Sequence, residues 1–98
     1  MVIITGKQHT GKTHLLKYLK EELKLSDEQI YDDVSDIEFI FSQFQIENKI
    51  GANFYIATQI DLEILEKKFL DENYIPPIII EKFYKNGIFS QMTHEPIF

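Results

Sequence analysis

The residues with the clearest chemical potential form one short segment, Gly6-Lys7-Gln8-His9-Thr10-Gly11-Lys12-Thr13. Its spacing is G-x-x-x-x-G-K-[ST], the pattern of a loop whose backbone N–H groups surround phosphate oxygens. Gly6 and Gly11 allow a sharp exit from a strand and a close approach of the backbone to an anion. Lys12 would reach the β- and γ-phosphates of a nucleotide, and the Thr13 hydroxyl would ligate Mg²⁺. The segment therefore predicts a phosphate-binding loop.

The expected binding residues include every position of this loop and the residue after it. They are Gly6, Lys7, Gln8, His9, Thr10, Gly11, Lys12, Thr13 and His14.

The sequence on either side supplies the elements that such a loop needs. Val2–Thr5 is an apolar, β-branched run that ends at a glycine, which is typical of a buried parallel strand. After the loop, leucines recur at helical spacing and predict a helix over residues 12–24. A strand followed by a loop and a helix is the setting in which this spacing binds phosphate.

The rest of the chain continues the alternation of strands and helices. A Ser35 cap with Glu38 predicts a helix over residues 36–45, and Asp61 caps a third helix. Residues 53–58 and 78–82 are expected strands, and Asn86-Gly87 predicts a hairpin. We therefore expect one α/β domain over residues 1–98, a three-layer sandwich. Its sheet should be small and mostly parallel, with about four strands plus a C-terminal hairpin.

The first strand, loop and helix resemble the P-loop NTPase superfamily, of which this chain would be a minimal member. The resemblance implies binding of ATP or GTP with Mg²⁺, and a sheet whose strand ends carry the site. The guanine-recognition sequence N-K-x-D does not occur, which favours ATP.

The superfamily's second signature is an apolar strand that ends in an aspartate holding Mg²⁺ through water. Ile30-Tyr31-Asp32-Asp33 resembles it. The resemblance implies that Asp32 is the magnesium partner, together with Thr13. It also implies that Asp33 takes the place of a water-activating glutamate. An acidic turn before the next helix is an equal alternative for this segment.

A third segment, Ala57-Thr58-Gln59 after an apolar strand, resembles the sensor strand of additional-strand P-loop ATPases of the RecA-like and AAA-like kind. The resemblance implies that Thr58 or Gln59 touches the γ-phosphate or the attacking water. The catalytic residues would then be Lys12, Asp33 and Gln59. It also implies that Val2–Thr5 is central, between strands 53–58 and 78–82. A polar turn after a strand is the alternative for Gln59.

The amino-acid composition of the chain argues against some classes of function and favours others. The net charge is -6, with 10 lysines and no arginine, which argues against bulk nucleic-acid binding. Arginine fingers accelerate hydrolysis by about 10³–10⁵ in related enzymes, so slow turnover is expected. No apolar run approaches the ~20 residues of a membrane span, so a cytoplasmic location is the default. Abundant Ile, Lys, Asn and Phe suggest a phage or mobile-element origin.

These observations predict an ATP- and Mg²⁺-binding protein that is a weak ATPase. The alternative is a regulatory or interaction subunit that binds a nucleotide or phosphate without hydrolysis. A short sheet with exposed edges also predicts a homodimer or larger assembly. Its contacts would come from Phe83, Tyr84, Ile88, Phe89, Ile97 and Phe98. Lys82 and Lys85 are expected to be solubilising charges at the hairpin.

Overall fold

Strands and helices alternate along the chain in the computed structural model, which describes residues 1–95. The strands are β1 (Val2–Thr5), β2 (Ile30–Val34), β3 (Tyr55–Thr58), β4 (Ile78–Lys85) and β5 (Ile88–His94). The helices are α1 (Lys12–Glu22), α2 (Ile37–Ile50) and α3 (Leu62–Asp71), with a 3₁₀ turn at Asp27–Gln29. The predicted α/β class is confirmed. The contacts expected of Ile97 and Phe98 lie outside the described residues.

The five strands form one sheet in the order β2-β3-β1-β4-β5. β1 is central and parallel to both β3 and β4, as predicted, and β2 is parallel to β3. β5 runs antiparallel to β4 from Ile79 opposite His94 to Lys85 opposite Ile88. The sheet is therefore mixed, and the prediction of a mostly parallel sheet was wrong. The Asn86-Gly87 turn returns the chain along β4, so the hairpin is part of the sheet.

Helices cover both faces of this sheet because neighbouring residues of each strand point to opposite sides. Ile4 of β1 and Ala57 of β3 pack with Leu16 of α1 on one face. Ile3 and Ile56 face the other way, toward α2 and α3. The remaining buried residues of that second cluster are Ile40, Phe41, Leu65, Phe69 and Ile79. This two-sided packing holds β1 firmly beneath the loop that follows it.

Helix α2 is longer than the predicted 36–45. Its cap is Asp36, which accepts a hydrogen bond from the Glu38 N–H at 3.0 Å, and not Ser35. The helix ends at Gly51, whose φ of 71° is left-handed. Its last turns bury the charged Glu47, which accepts from the Phe54 N–H at 2.8 Å, so they carry no apolar pattern. Within residues 1–95, the helices lack the length and apolar character needed to cross a membrane.

Candidate functional site

The glycine-rich loop connects the C-terminal end of β1 to the start of α1. Gly11 is the N-cap of α1 with a φ of 90°, and its carbonyl accepts the Leu15 N–H at 3.1 Å. No side chain caps this helix, and its first turn has no acidic residue. The free N–H groups and the positive end of the helix dipole therefore remain for an anion. Both are the features that phosphate recognition requires.

Hydrogen bonds within the loop converge on one carbonyl. The Thr10 hydroxyl and the Lys12 ammonium donate to the Lys7 carbonyl oxygen at 2.7 Å and 2.8 Å. His9 adopts a left-handed φ of 64°, which helps successive N–H groups to turn toward one side. Thr10 is buried, and its hydrogen bond to the Lys7 carbonyl stabilises the loop.

The Thr13 hydroxyl and the Asp32 carboxylate meet at this loop. Thr13 Oγ1 donates to Asp32 Oδ2 at 3.1 Å and lies 3.4 Å from Oδ1. From Tyr31 to Val34, β2 advances three residues while β3 advances two, so β2 contains a bulge. Asp33 takes the left-handed conformation there, with a φ of 54°. The bulge places both aspartates at the end of the strand, beside α1.

Most of the predicted site residues line a single cleft of about 420 Å³. Its walls are Gln8, His9, Gly11, Lys12, Thr13, His14, Asp32, Asp33 and Gln59. Gly6, Lys7 and Thr10 instead line a neighbouring hollow of about 370 Å³ that faces β4 and Asp61. The cleft thus collects residues from three separate segments at the carboxyl ends of parallel strands, where ligands bind in open α/β sheets.

The environment of the cleft changes the pKa of Lys12. Burial lowers the pKa of its ammonium below the ordinary lysine value, while the charges of Asp33 and Asp32 oppose that shift. The loss of hydration therefore outweighs the attraction of the two carboxylates. A phosphate group bound in the cleft would supply further negative charge beside the Lys12 ammonium.

The two sensor candidates have different surroundings. Thr58 is buried; its hydroxyl donates to the Val34 carbonyl at 2.5 Å and accepts from the Ile60 N–H at 3.1 Å. It therefore ties β3 to the end of β2. Gln59 is exposed and lines the cleft. Of the two, Gln59 is the one placed to touch a ligand.

A cation at this site would depend on few protein ligands. Within residues 1–95, no group of three or more His, Cys, Asp or Glu side chains is arranged to hold a metal. Thr13 and Asp32 nevertheless present two oxygen ligands side by side. Mg²⁺ commonly binds through one or two protein groups and completes its octahedron with phosphate oxygens and water. The donor set fits Mg²⁺ in company with a phosphate ligand.

Lys82 is a site residue that the sequence interpretation missed. It is half-buried on β4, and its Nζ donates to Gln91 Oε1 at 3.2 Å. A Cβ built on Gly11 would lie 3.6 Å from its Cε and 4.0 Å from its Nζ. The predicted strand order contained the signal, because a strand beside β1 must bring its carboxyl end to the loop.

The arrangement offers backbone N–H donors, an ammonium and a hydroxyl–carboxylate pair in one open cleft. Such a set can hold a polyphosphate with a divalent cation. Asp33 and Gln59 stand at the same cleft with groups that accept or donate a proton or a hydrogen bond.

No protein-family model, curated protein or solved structure matches this chain.

Proposed function

We propose that the protein binds Mg-ATP in the cleft at the glycine-rich loop and hydrolyses it slowly, as a minimal P-loop NTPase. One observation carries the proposal: the Thr13 hydroxyl lies 3.1 Å from the Asp32 carboxylate. The resemblance to P-loop NTPases implies that these two residues, from separate segments of the sequence, are the magnesium ligands. The contact between them beside Lys12 favours a metal–phosphate site over an acidic surface turn.

The roles follow from position. The phosphates would lie against the N–H groups at the start of α1, with the Lys12 ammonium on the β- and γ-oxygens. Mg²⁺ would be held by Thr13 and Asp32 and would neutralise charge on the transferred phosphoryl group. Asp33 would accept the proton of a water that attacks the γ-phosphorus, as the bond to the β–γ bridging oxygen breaks. Gln59 would orient that water.

Slow hydrolysis is expected from the residue types that the chain contains. It has no arginine, so neither the protein nor a second copy can stabilise the transition state with a guanidinium fork. Lysine acts there only as a point charge.

Replacing Asp32 by asparagine should remove the dependence of ATP binding on Mg²⁺. Calorimetric titration should show that Mg²⁺ tightens ATP binding to the unaltered protein but not to Asp32→Asn. Affinity for ATP without Mg²⁺ should change little, because Lys12 and the loop remain. Asp27→Asn removes the same charge from an exposed side chain outside the cleft and should behave like the unaltered protein. Equal Mg²⁺ dependence in both variants would contradict the proposed metal site.

Replacing Asp33 by asparagine should slow phosphate release by about a hundredfold or more, which is typical for loss of a general base. Binding of Mg-ATP should be nearly unchanged, because Asp33 contacts the water and not the phosphates. Phosphate release and calorimetry on the same samples separate the two effects. If the unaltered protein binds Mg-ATP tightly and releases no phosphate above background, the non-hydrolysing regulatory subunit is the correct function.

We also propose that two copies associate through the outer strand of the hairpin. Ile88 and Met92 lie on the same face of β5 and are 64% and 54% exposed. A second copy would cover them and pair the edge of β5, which has no neighbouring strand within residues 1–95. Light scattering should give twice the 11.6 kDa of one chain, and Met92→Lys should return it to a monomer. Thr93→Lys, on the other face of β5, is the control. A single-chain mass at all micromolar concentrations would contradict the dimer.

A further inference from the structure

The hairpin forms a wall beside the glycine-rich loop. β4 pairs with β1 as far as Glu81 opposite Thr5, and then continues to Lys85 with β5 at its side. Gly6 lies directly against the Lys82 carbonyl, which a Cβ at Gly6 would strike. Asp32 and Asp33, at the end of β2, are on the other side of β1 in the sheet. The loop is therefore enclosed between an acidic side and the hairpin.

A second cleft of about 480 Å³ opens between this wall and the start of α1. It is lined by Thr10, Gly11, His14, Leu15, Lys82 and Phe89. Gly11 and His14 also line the cleft of about 420 Å³ described above, the phosphate cleft, so the two clefts adjoin at the loop. Its volume is within the ~300–1,000 Å³ of small-molecule sites.

The aromatic side chain that lines this cleft, Phe89, is exposed, but a neighbouring ring packs against it. Phe89 is 61% exposed, and Tyr84, opposite it on β4, packs edge-on against it at a centroid distance of 5.0 Å. Both lie on the face of the sheet that α1 covers, since Lys82 and Tyr84 alternate with Glu81 and Phe83 along β4. A flat ring held in this way offers a surface on which another ring can stack.

We propose that this second cleft holds the nucleoside part of the bound nucleotide, with the base stacked on Phe89. A nucleotide whose phosphates lie in the loop must extend its sugar and base to one side of it. The side toward β2 presents the carboxylates of Asp32 and Asp33, whereas the hairpin side presents Leu15 and Phe89. A neutral aromatic base is better accommodated by the apolar side. The Lys82 ammonium, beside Gly11, would meet the phosphate nearest the sugar.

This inference rests on the proposed function, because it requires phosphates in the loop. It makes a separate prediction about the rest of the nucleotide. Stacking of a base on an aromatic side chain contributes about 1–3 kcal/mol. Loss of the ring should therefore weaken ATP binding by roughly fivefold to 150-fold, and stacking itself should accept adenine and guanine alike.

Calorimetric titrations of ATP and of inorganic tripolyphosphate, both with Mg²⁺, test the inference. Phe89→Ala should weaken ATP binding by that factor and leave tripolyphosphate binding unchanged, whereas Lys12→Ala should weaken both. Tyr18→Ala, which removes a comparably exposed ring from α1 outside both clefts, should weaken neither. The chain contains no tryptophan, so Phe89→Trp provides a single tryptophan at the cleft, which can be excited selectively over the five tyrosines. The Phe89→Trp variant should retain most of the affinity for ATP. Binding of ATP should quench the tryptophan emission, whereas binding of tripolyphosphate should not.

Each other outcome overturns a defined part. If tripolyphosphate binds but ATP binds no tighter, the phosphate site stands and the nucleoside cleft is wrong. If Phe89→Ala weakens both ligands equally, Phe89 only supports the loop. If Phe89→Ala changes the mass by light scattering and not the ATP affinity, the ring belongs to an interface between copies. If the unaltered protein binds neither ligand, the proposed function fails and this inference fails with it.

Discussion

Replacing Lys12 by alanine should remove most of the rise in melting temperature that Mg-ATP produces. Among residues 1–95, Lys12 is the one lysine that lines the phosphate cleft, and burial has already removed part of the hydration of its ammonium. A hydrogen bond to a charged group contributes about 1.5–3 kcal/mol, so affinity should fall about tenfold to a hundredfold. The melting temperature without ligand should change by at most about 4 °C, because Lys12 makes one hydrogen bond, to the Lys7 carbonyl, and has no core role.

Lys49→Ala is the matched control, since it removes the same charge from an exposed position on α2. Its response to Mg-ATP should equal that of the unaltered protein. A full ATP-dependent shift in Lys12→Ala would contradict phosphate binding by the loop. Lack of any shift in the unaltered protein at millimolar Mg-ATP would do the same.

Replacing Gly6 by alanine should have the largest effect on folding stability. Gly6 has a φ of 154°, and a Cβ there would strike the Lys82 carbonyl oxygen and lie 2.8 Å from Thr10 Oγ1. The Lys82 oxygen belongs to the β4 backbone and cannot rotate away. The conformation alone costs about 1–3 kcal/mol for a residue with a side chain, and the collision adds to it. Urea denaturation should show a loss that exceeds that range.

Gly51→Ala separates the two causes. Gly51 also has a positive φ, of 71°, but a Cβ there has no heavy atom within 4 Å. Its free energy of unfolding should fall only by the conformational cost, about 1–2 kcal/mol. If Gly6→Ala and Gly51→Ala destabilise equally, the close packing of the loop against β4 is wrong.

Local patterns were sufficient to predict the loop and the elements on either side of it, whereas the order of the inner strands came from the resemblance to additional-strand P-loop ATPases. The strand before Gly6, the leucine spacing after Lys12 and the apolar runs at 53–58 and 78–82 each reflect burial on one or two faces. These local features depend on neighbours in sequence. The position of β1 between β3 and β4, which the resemblance implied, is confirmed. The same reasoning predicted a site at the ends of these strands.

Features that depend on distant partners were not predictable. Glu47, in the last turns of α2, accepts a hydrogen bond from the Phe54 N–H, a pairing that no spacing rule indicates. The bulge that carries Asp33 arises from the register between β2 and β3. Lys82 looked like a surface charge because its neighbour, Gly11, is remote in sequence.

The position of β2 has a consequence for how the site opens. β2 is an edge strand of the described sheet, it pairs with β3, and its ladder is interrupted after Tyr31. Edge segments with few backbone hydrogen bonds open at lower free energy than central strands, without global unfolding. Such an opening would carry Asp32 away from Thr13 while β1 and the loop stay folded. A cation bound between Thr13 and Asp32 would oppose this opening. It would therefore slow amide hydrogen exchange in β2 far more than in β1.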